Sequence, residues 1–125
     1  MTKKDAREIL ELLAKEFGII KPNLSWSNRA KRGRAWGWGQ NRIACGPKCW
    51  RGPEAALLHE FSHILCWRRE GSHCRMGGHT EFFWRMLEKV CVAWHGEIEA
   101  YPWHTEYKRG RAWAAGQAEK GRGKP

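Results

Sequence analysis

The feature that most constrains this chain is Leu57-Leu58-His59-Glu60-Phe61-Ser62-His63, a His-Glu-x-x-His pattern inside an apolar-rich run that opens at Gly52-Pro53. Proline fits the first helical position, where its missing N–H is not needed, so a helix is predicted to start near Pro53. At 3.6 residues per turn, His59 and His63 fall one turn apart on one face, near enough to share a metal ion. Glu60 lies about 100° round the same helix, beside such an ion and not on it. That is the place for a general base acting on a metal-activated water. A chain rich in His and Glu produces this pattern by accident with a chance of roughly a few per cent, so the context carries weight. Here Ala56, Leu57, Leu58, Phe61, Ile64 and Leu65 surround the histidines and supply the wall that packs such a helix into a core, leaving one face for a cleft.

A catalytic zinc takes three protein ligands and keeps one position open. The compact arrangement, with a histidine six residues after the second one, fails because that position is Arg69. His79 is the leading candidate. It follows a glycine-rich turn, Gly71 to Gly78, and opens a second apolar-periodic run from Thr80 to Trp94, so a helix returning antiparallel to the first can bring it to the metal. Glu81 and Glu88 on that run, and His73 in the loop, are the alternatives.

These residues resemble a family. His59-Glu60-x-x-His63, followed after an interval by Gly78-His79 with Phe83 four places on, looks like the core of the SprT-like (Spartan-type) zinc metallopeptidases, over the stretch from Leu24 to Trp94. The resemblance implies a small zincin-like domain, zinc on His59, His63 and His79, Glu60 as the catalytic glutamate, and protein substrates, in several members proteins bound to DNA. Thr80 departs from the glycine many members carry after the third histidine. The C-terminal zinc ribbon or other DNA-binding appendage of such proteins has no counterpart in this sequence.

With 125 residues the chain is predicted to form one domain over 1–120, followed by a basic flexible tail at 121–125. It has no apolar stretch long enough to span a membrane, and the polar start Met1-Thr2-Lys3-Lys4-Asp5 is unlike a signal peptide, so the expectation is a cytoplasmic, non-membrane protein. Five cysteines, an odd number at spacings unlike a secreted scaffold, are expected as reduced thiols. The formal net charge is +10, and of 13 acidic residues only Asp5 is an aspartate. A Ser-His-Asp triad would have to recruit Asp5 from the first helix, which argues against that chemistry. The outer nitrogens of zinc-binding histidines would have to use glutamate or backbone.

In chain order, Ile9, Leu10, Leu13 and Phe17 recur at helical steps and predict an amphipathic packing helix over Asp5 to Phe17. Three short antiparallel strands are predicted at Leu24–Arg29, Gly33–Gln40 and Arg42–Cys45, with turns near Lys31-Arg32-Gly33 and Gln40-Asn41. Trp36-Gly37-Trp38-Gly39 is a candidate for an open sheet edge along which a peptide lies, since glycine permits close backbone approach. The competing assignment for those tryptophans is plain core. Arg29, Lys31, Arg32 and Arg34 interleave with Trp26, Trp36 and Trp38, a composition able to contact phosphates and stack on bases. Cys45-Gly46-Pro47-Lys48-Cys49 reads as a turn into the active helix, its cysteines partly buried; a structural zinc there would need Cys66 and Cys74 as well. In the Thr80 to Trp94 run, Phe82, Phe83, Met86, Leu87, Val90 and Cys91 are core candidates. A last helix over Thr105 to Lys120 is expected, with His95, His104, Tyr107 and Arg75 as candidate oxyanion donors.

The sequence thus points to an α+β zincin-like domain acting as a zinc-dependent endopeptidase, with Zn2+ on His59, His63 and His79 and Glu60 as general base. The alternative is a basic nucleic-acid-binding module whose zinc is structural or catalytically inactive.

Overall fold

In the computed structural model of this chain, residues 1–37, 40–50, 52–70 and 79–97 are described, together with positions 108, 112 and 116. The expected last helix and basic tail lie outside the continuous described residues, as do His73, Arg75, His104 and Tyr107. The class is α+β: helices α1 (Lys3–Phe17), α2 (Pro53–Glu70) and α3 (Glu81–His95), with strands β1 (Asn23–Trp26), β2 (Arg34–Trp36) and β3 (Arg42–Cys45).

The helix termini follow from local chemistry. Thr2 and Asp5 form a reciprocal capping box at the start of α1, and Gly18 closes it in the left-handed region at φ 65. Ile9, Leu10 and Leu13 bury the predicted stripe, and Phe17 packs tilted against Phe61 with ring centroids 6.0 Å apart. α2 begins at Pro53 as predicted. Unlike α1, it is buried on every side: each residue from Ala55 to Cys66 is buried. Contacts from α1, α3, β2 and β3 surround it, which is why its sequence is apolar all round and lacks a single stripe. The one polar residue there besides His59, Glu60 and His63 is Ser62, which donates its hydroxyl to the Leu58 carbonyl at 2.7 Å and so tolerates burial.

The three-stranded sheet has the order β1-β3-β2. The sheet expected to be antiparallel throughout is mixed: β2 pairs antiparallel with β3, whereas β1 pairs parallel with β3 in the register Asn23 to Arg42 through Trp26 to Cys45. β3 takes the centre because it alone offers two fully buried alternating apolar positions, Ile43 and Cys45. The tight turn before β3 reverses the chain, with Gln40 and Asn41 amides both donating to the Gly37 carbonyl and Asn41 at φ 42. β3 therefore runs opposite to β2, while its pairing with β1 is parallel.

β2 is shorter than predicted, and its small residues explain where it lies. Gly33, Ala35 and Gly37 alternate, so all three face one side. A Cβ on Gly37 would stand 2.6 Å from the Trp67 ring, and one on Gly33 would stand 2.8 Å from Glu60 Cγ and 3.5 Å from Ala56 Cβ. The strand thus lies directly on α2, running from Ala56 and Glu60 towards Trp67, because no side chain holds it off. Arg34 and Trp36 take the opposite face, where the Arg42 guanidinium lies 4.1 Å from the Trp36 ring centroid. Trp36 is half-buried there, neither core nor fully open.

α3 returns along α2, and His95 Nε2 stands 3.5 Å from Glu54 Oε1 where the end of α3 meets the start of α2. Four cysteines, Cys45, Cys49, Cys66 and Cys91, are free thiols, as expected, and all are buried. No helix among the described residues is long and apolar enough to cross a membrane.

Candidate metal centre

His59 and His63 project from the middle of α2 one turn apart, and His79 arrives from the residues before α3. Its placement depends on Thr80. That residue is the N-cap of α3, its hydroxyl accepting from the Phe83 amide at 3.2 Å, so the helix starts at Glu81 and His79 stays outside it. Thr80 thus has a local use, since threonine caps a helix well through its side-chain acceptor.

The three imidazoles form a nearly equilateral triangle. Their ring centroids are 5.0 Å apart for His59 and His63, 5.0 Å for His59 and His79, and 5.2 Å for His63 and His79. One candidate ligand atom from each lies within 4.8 Å of the other two. Three imidazoles around one tetrahedral ion, with nitrogens about 2 Å from it, have centroids about 5 Å apart, so the triangle has the size such an ion requires. Among the described residues this is the cluster of three or more metal-binding side chains that forms. Glu81 does not join it, its carboxylate being paired with Arg85 at 2.7 Å, and neither does Glu88. His73 lies outside the described residues. Among the described residues no thiolate joins the histidines either; Cys45 and Cys49 approach each other, with sulfurs 3.6 Å apart, and Cys74 lies outside the described residues.

Phe83 organises the triangle. Fully buried on the first turn of α3, its ring stacks on His63 at 4.2 Å and 22° and on His79 at 4.7 Å and 15°, and meets His59 edge-on at 5.1 Å. Trp84 closes the outer side of His79, with centroids 5.1 Å apart. The sequence marked Phe83 as core and as part of the resemblance; its position against all three imidazoles needs the tertiary structure.

Burial sets the protonation states. His63 is 3 % exposed, and desolvation, helped by repulsion from His79, pushes its pKa down from 6.5 to about 3. It is therefore neutral at physiological pH, the form that binds metal. Its Nδ1 is buried with no hydrogen-bond partner among the described residues. Burial raises the Glu60 pKa from 4.5 to about 7, with the residue 8 % exposed and its methylene against Gly33. A carboxyl poised there can both take and return a proton near neutrality. The face expected to be open is narrow on α2, since His59 keeps only 6 % exposure, and His79 is the more exposed member of the triangle. Of the oxyanion candidates, His95 stands at the far end of α3, about 20 Å along the helix, in its pair with Glu54.

Cys45 and Cys49 are more deeply buried than expected, at 0 and 5 % exposure, and desolvation pushes the Cys45 thiol up to about 12. They are packing residues at the junction of β3 and α2: Cys45 Sγ lies 3.7 Å from the Pro53 carbonyl and Cys49 Sγ 3.7 Å from that of Ala30. No protein-family model matches this chain, and searches of curated proteins and of solved structures return no match.

Proposed function

We propose that this protein is a zinc-dependent endopeptidase of the SprT-like kind, with His59, His63 and His79 holding the metal and Glu60 acting as general base. The observation that carries the reading is the imidazole triangle with a buried carboxylate one residue from its first member. Imidazole donors also suit copper, nickel or iron. Zinc is preferred because three imidazoles, with no thiolate joining them among the described residues, form the donor set of a hydrolytic zinc site with one position open.

Zinc in this triangle would supply Lewis acidity, allowing water to react near neutral pH. The chain's own residues do the rest. Phe83 fixes the tilt of His63 and His79 by stacking, and burial keeps His63 neutral. Glu60 accepts a proton from the attacking water at its carboxylate and delivers it to the amine nitrogen that leaves. β2, held against Glu60 by Gly33, offers a strand edge along which an extended peptide can pair.

The test is metal content by mass spectrometry beside hydrolysis of an unfolded protein, for wild type, Glu60→Gln and His79→Ala. Glu60→Gln is expected to retain about one zinc per chain and to lose hydrolysis by at least about 10²-fold; undiminished turnover overturns the mechanism. His79→Ala is expected to lower zinc occupancy, and unchanged occupancy returns the third position to another ligand. Cobalt substitution separates this reading from a structural site: an intense thiolate charge-transfer band would mean a cysteine closes the coordination.

A further inference from the structure

Between Glu16 and Glu54 the sequence holds eight lysines and arginines and not one aspartate or glutamate. That interval is the whole sheet and the loops leading into α2. Its point of contact with the site is Gly33, whose backbone touches the Glu60 side chain. Arg32 and Arg34 flank that contact, their α-carbons about 3.8 Å along the chain on either side. Both are exposed, and neither has an ion-pair partner among the described residues. The Lys31 carbonyl accepts from the Trp50 amide at 3.1 Å, which draws the loop carrying Lys48 to the same end of β2. The general base therefore stands beside a strand that, with its flanking loops, carries lysines and arginines and no acidic residue.

β2 is also an edge. It pairs with β3 on one side, and the order β1-β3-β2 leaves its other side without a strand among the described residues. From these two observations we propose that the β2 edge and its arginines select acidic peptide segments as the substrate of this site, an inference that rests on the peptidase reading. A peptide added to β2 presents its side chains alternately to the two faces of the sheet. On the face away from α2 they meet Arg34; at the Glu60 end they meet Arg32 and Lys31. Acidic side chains complement these charges, whereas lysine or arginine there is repelled. Nucleic acid is drawn by the same charge but has no ladder of N–H and C=O groups to match the edge. In addition, Trp36, the aromatic residue of the strand, is half-buried with Arg42 over its ring.

The experiment uses zinc-loaded, full-length Glu60→Gln, which binds without turnover, and fluorescent peptides identical except for acidic, neutral or basic side chains. Fluorescence anisotropy over a salt series is expected to rank acidic over neutral over basic, with the spread shrinking as salt rises. Arg34→Glu and Arg32→Glu, each in that background, are expected to weaken the acidic peptide roughly 3- to 10-fold and the neutral one little. Lys89→Glu, the same charge change on the exposed side of α3, is expected to leave it within about 2-fold. Equal binding of the three peptides, or equal loss in Lys89→Glu, overturns the proposal. So does displacement of the acidic peptide by a single-stranded oligonucleotide of the same charge at lower concentration, which assigns the surface to nucleic acid. Wild-type protein cleaving neutral and acidic peptides at equal rates overturns the selectivity and leaves the peptidase standing, whereas zinc-loaded wild type that cleaves none of the peptides and no unfolded protein overturns the peptidase itself.

Discussion

α2 and β2 touch along their length yet carry opposite kinds of information. α2 is buried from Ala55 to Cys66 and holds the chemistry, two imidazoles and a carboxylate at spacings dictated by the helix itself. β2 is three residues long, half exposed and basic at its start, and its importance comes from what it leans on: Glu60 through Gly33 and Trp67 through Gly37. The helix shows that a reactive set can be written locally. The strand shows that a surface beside it depends on absent side chains, because Gly33 and Gly37 let the backbone approach the helix where a Cβ would clash.

The helix side of this contrast breaks most severely at Phe83. Phe83→Ala removes a fully buried ring and the stacking partner of two imidazoles, and is expected to cost about 3–5 kcal/mol in denaturant unfolding. It should also weaken zinc binding, measured by competition with a chromophoric chelator; unchanged zinc affinity in the folded variant would show that α2 and the Thr80 cap alone hold the triangle.

Next in size is the charge buried on α2. In metal-free protein Glu60 holds its proton up to about pH 7, whereas the unfolded chain releases it near 4.5. Stability is thus lost as pH rises between those values, and Glu60→Gln removes the loss. The variant is expected to match wild type below about pH 4.5 and to exceed it above pH 7 by an order of 3 kcal/mol, at about 1.4 kcal/mol per pKa unit. His63 acts in the other sense: its pKa falls from 6.5 to about 3 on folding, so its contribution is full above 6.5 and is lost as pH falls through that window in both proteins. Zinc beside the carboxylate favours its ionised form, so urea melts with zinc in place of chelator should narrow the gap between variant and wild type. A gap that zinc leaves untouched would separate Glu60 from the metal.

The strand side is sharpened by Gly37→Ala. Its new methyl group would stand 2.6 Å from the Trp67 indole, and the expected cost is about 1–3 kcal/mol. The informative readout is the ratio of peptide affinity to stability: β2 pushed off α2 should lose peptide affinity while keeping one zinc. The smallest effect is expected at the junction of the two helices. Thr80→Ala removes the hydroxyl that accepts from the Phe83 amide and should cost about 1 kcal/mol, with Thr80→Ser restoring most of it.

Much of the helical frame was legible because its signals are local. Pro53 marked the start of α2, the helical spacing of Ile9, Leu10 and Leu13 marked α1, and the spacing of Phe83, Met86, Leu87 and Val90 marked α3. The His59, His63 and His79 set was also legible, since two members share a helix face and the third opens the next apolar run. The sheet was less so. Strand positions were readable to within a few residues, but the parallel pairing of β1 with β3 joins residues 19 apart in sequence, from Asn23 to Arg42, and no local pattern encodes it. Burial of Cys45 and Cys49 was underestimated because the turn carrying them looks polar, with Gly46, Pro47 and Lys48 between them.

By itself, then, the sequence determined three helices, the spacing of His59, Glu60 and His63 on the central one, and His79 as the leading candidate for a third ligand, because 3.6-residue periodicity and caps act within a few residues of one another. Tertiary structure alone decided the imidazole triangle's dimensions, the position of Phe83 against its three members, the pKa values that burial imposes on Glu60 and His63, and the approach of β2 to Glu60 through Gly33. Each of these depends on separations and desolvation that arise only when segments distant in the chain are packed together.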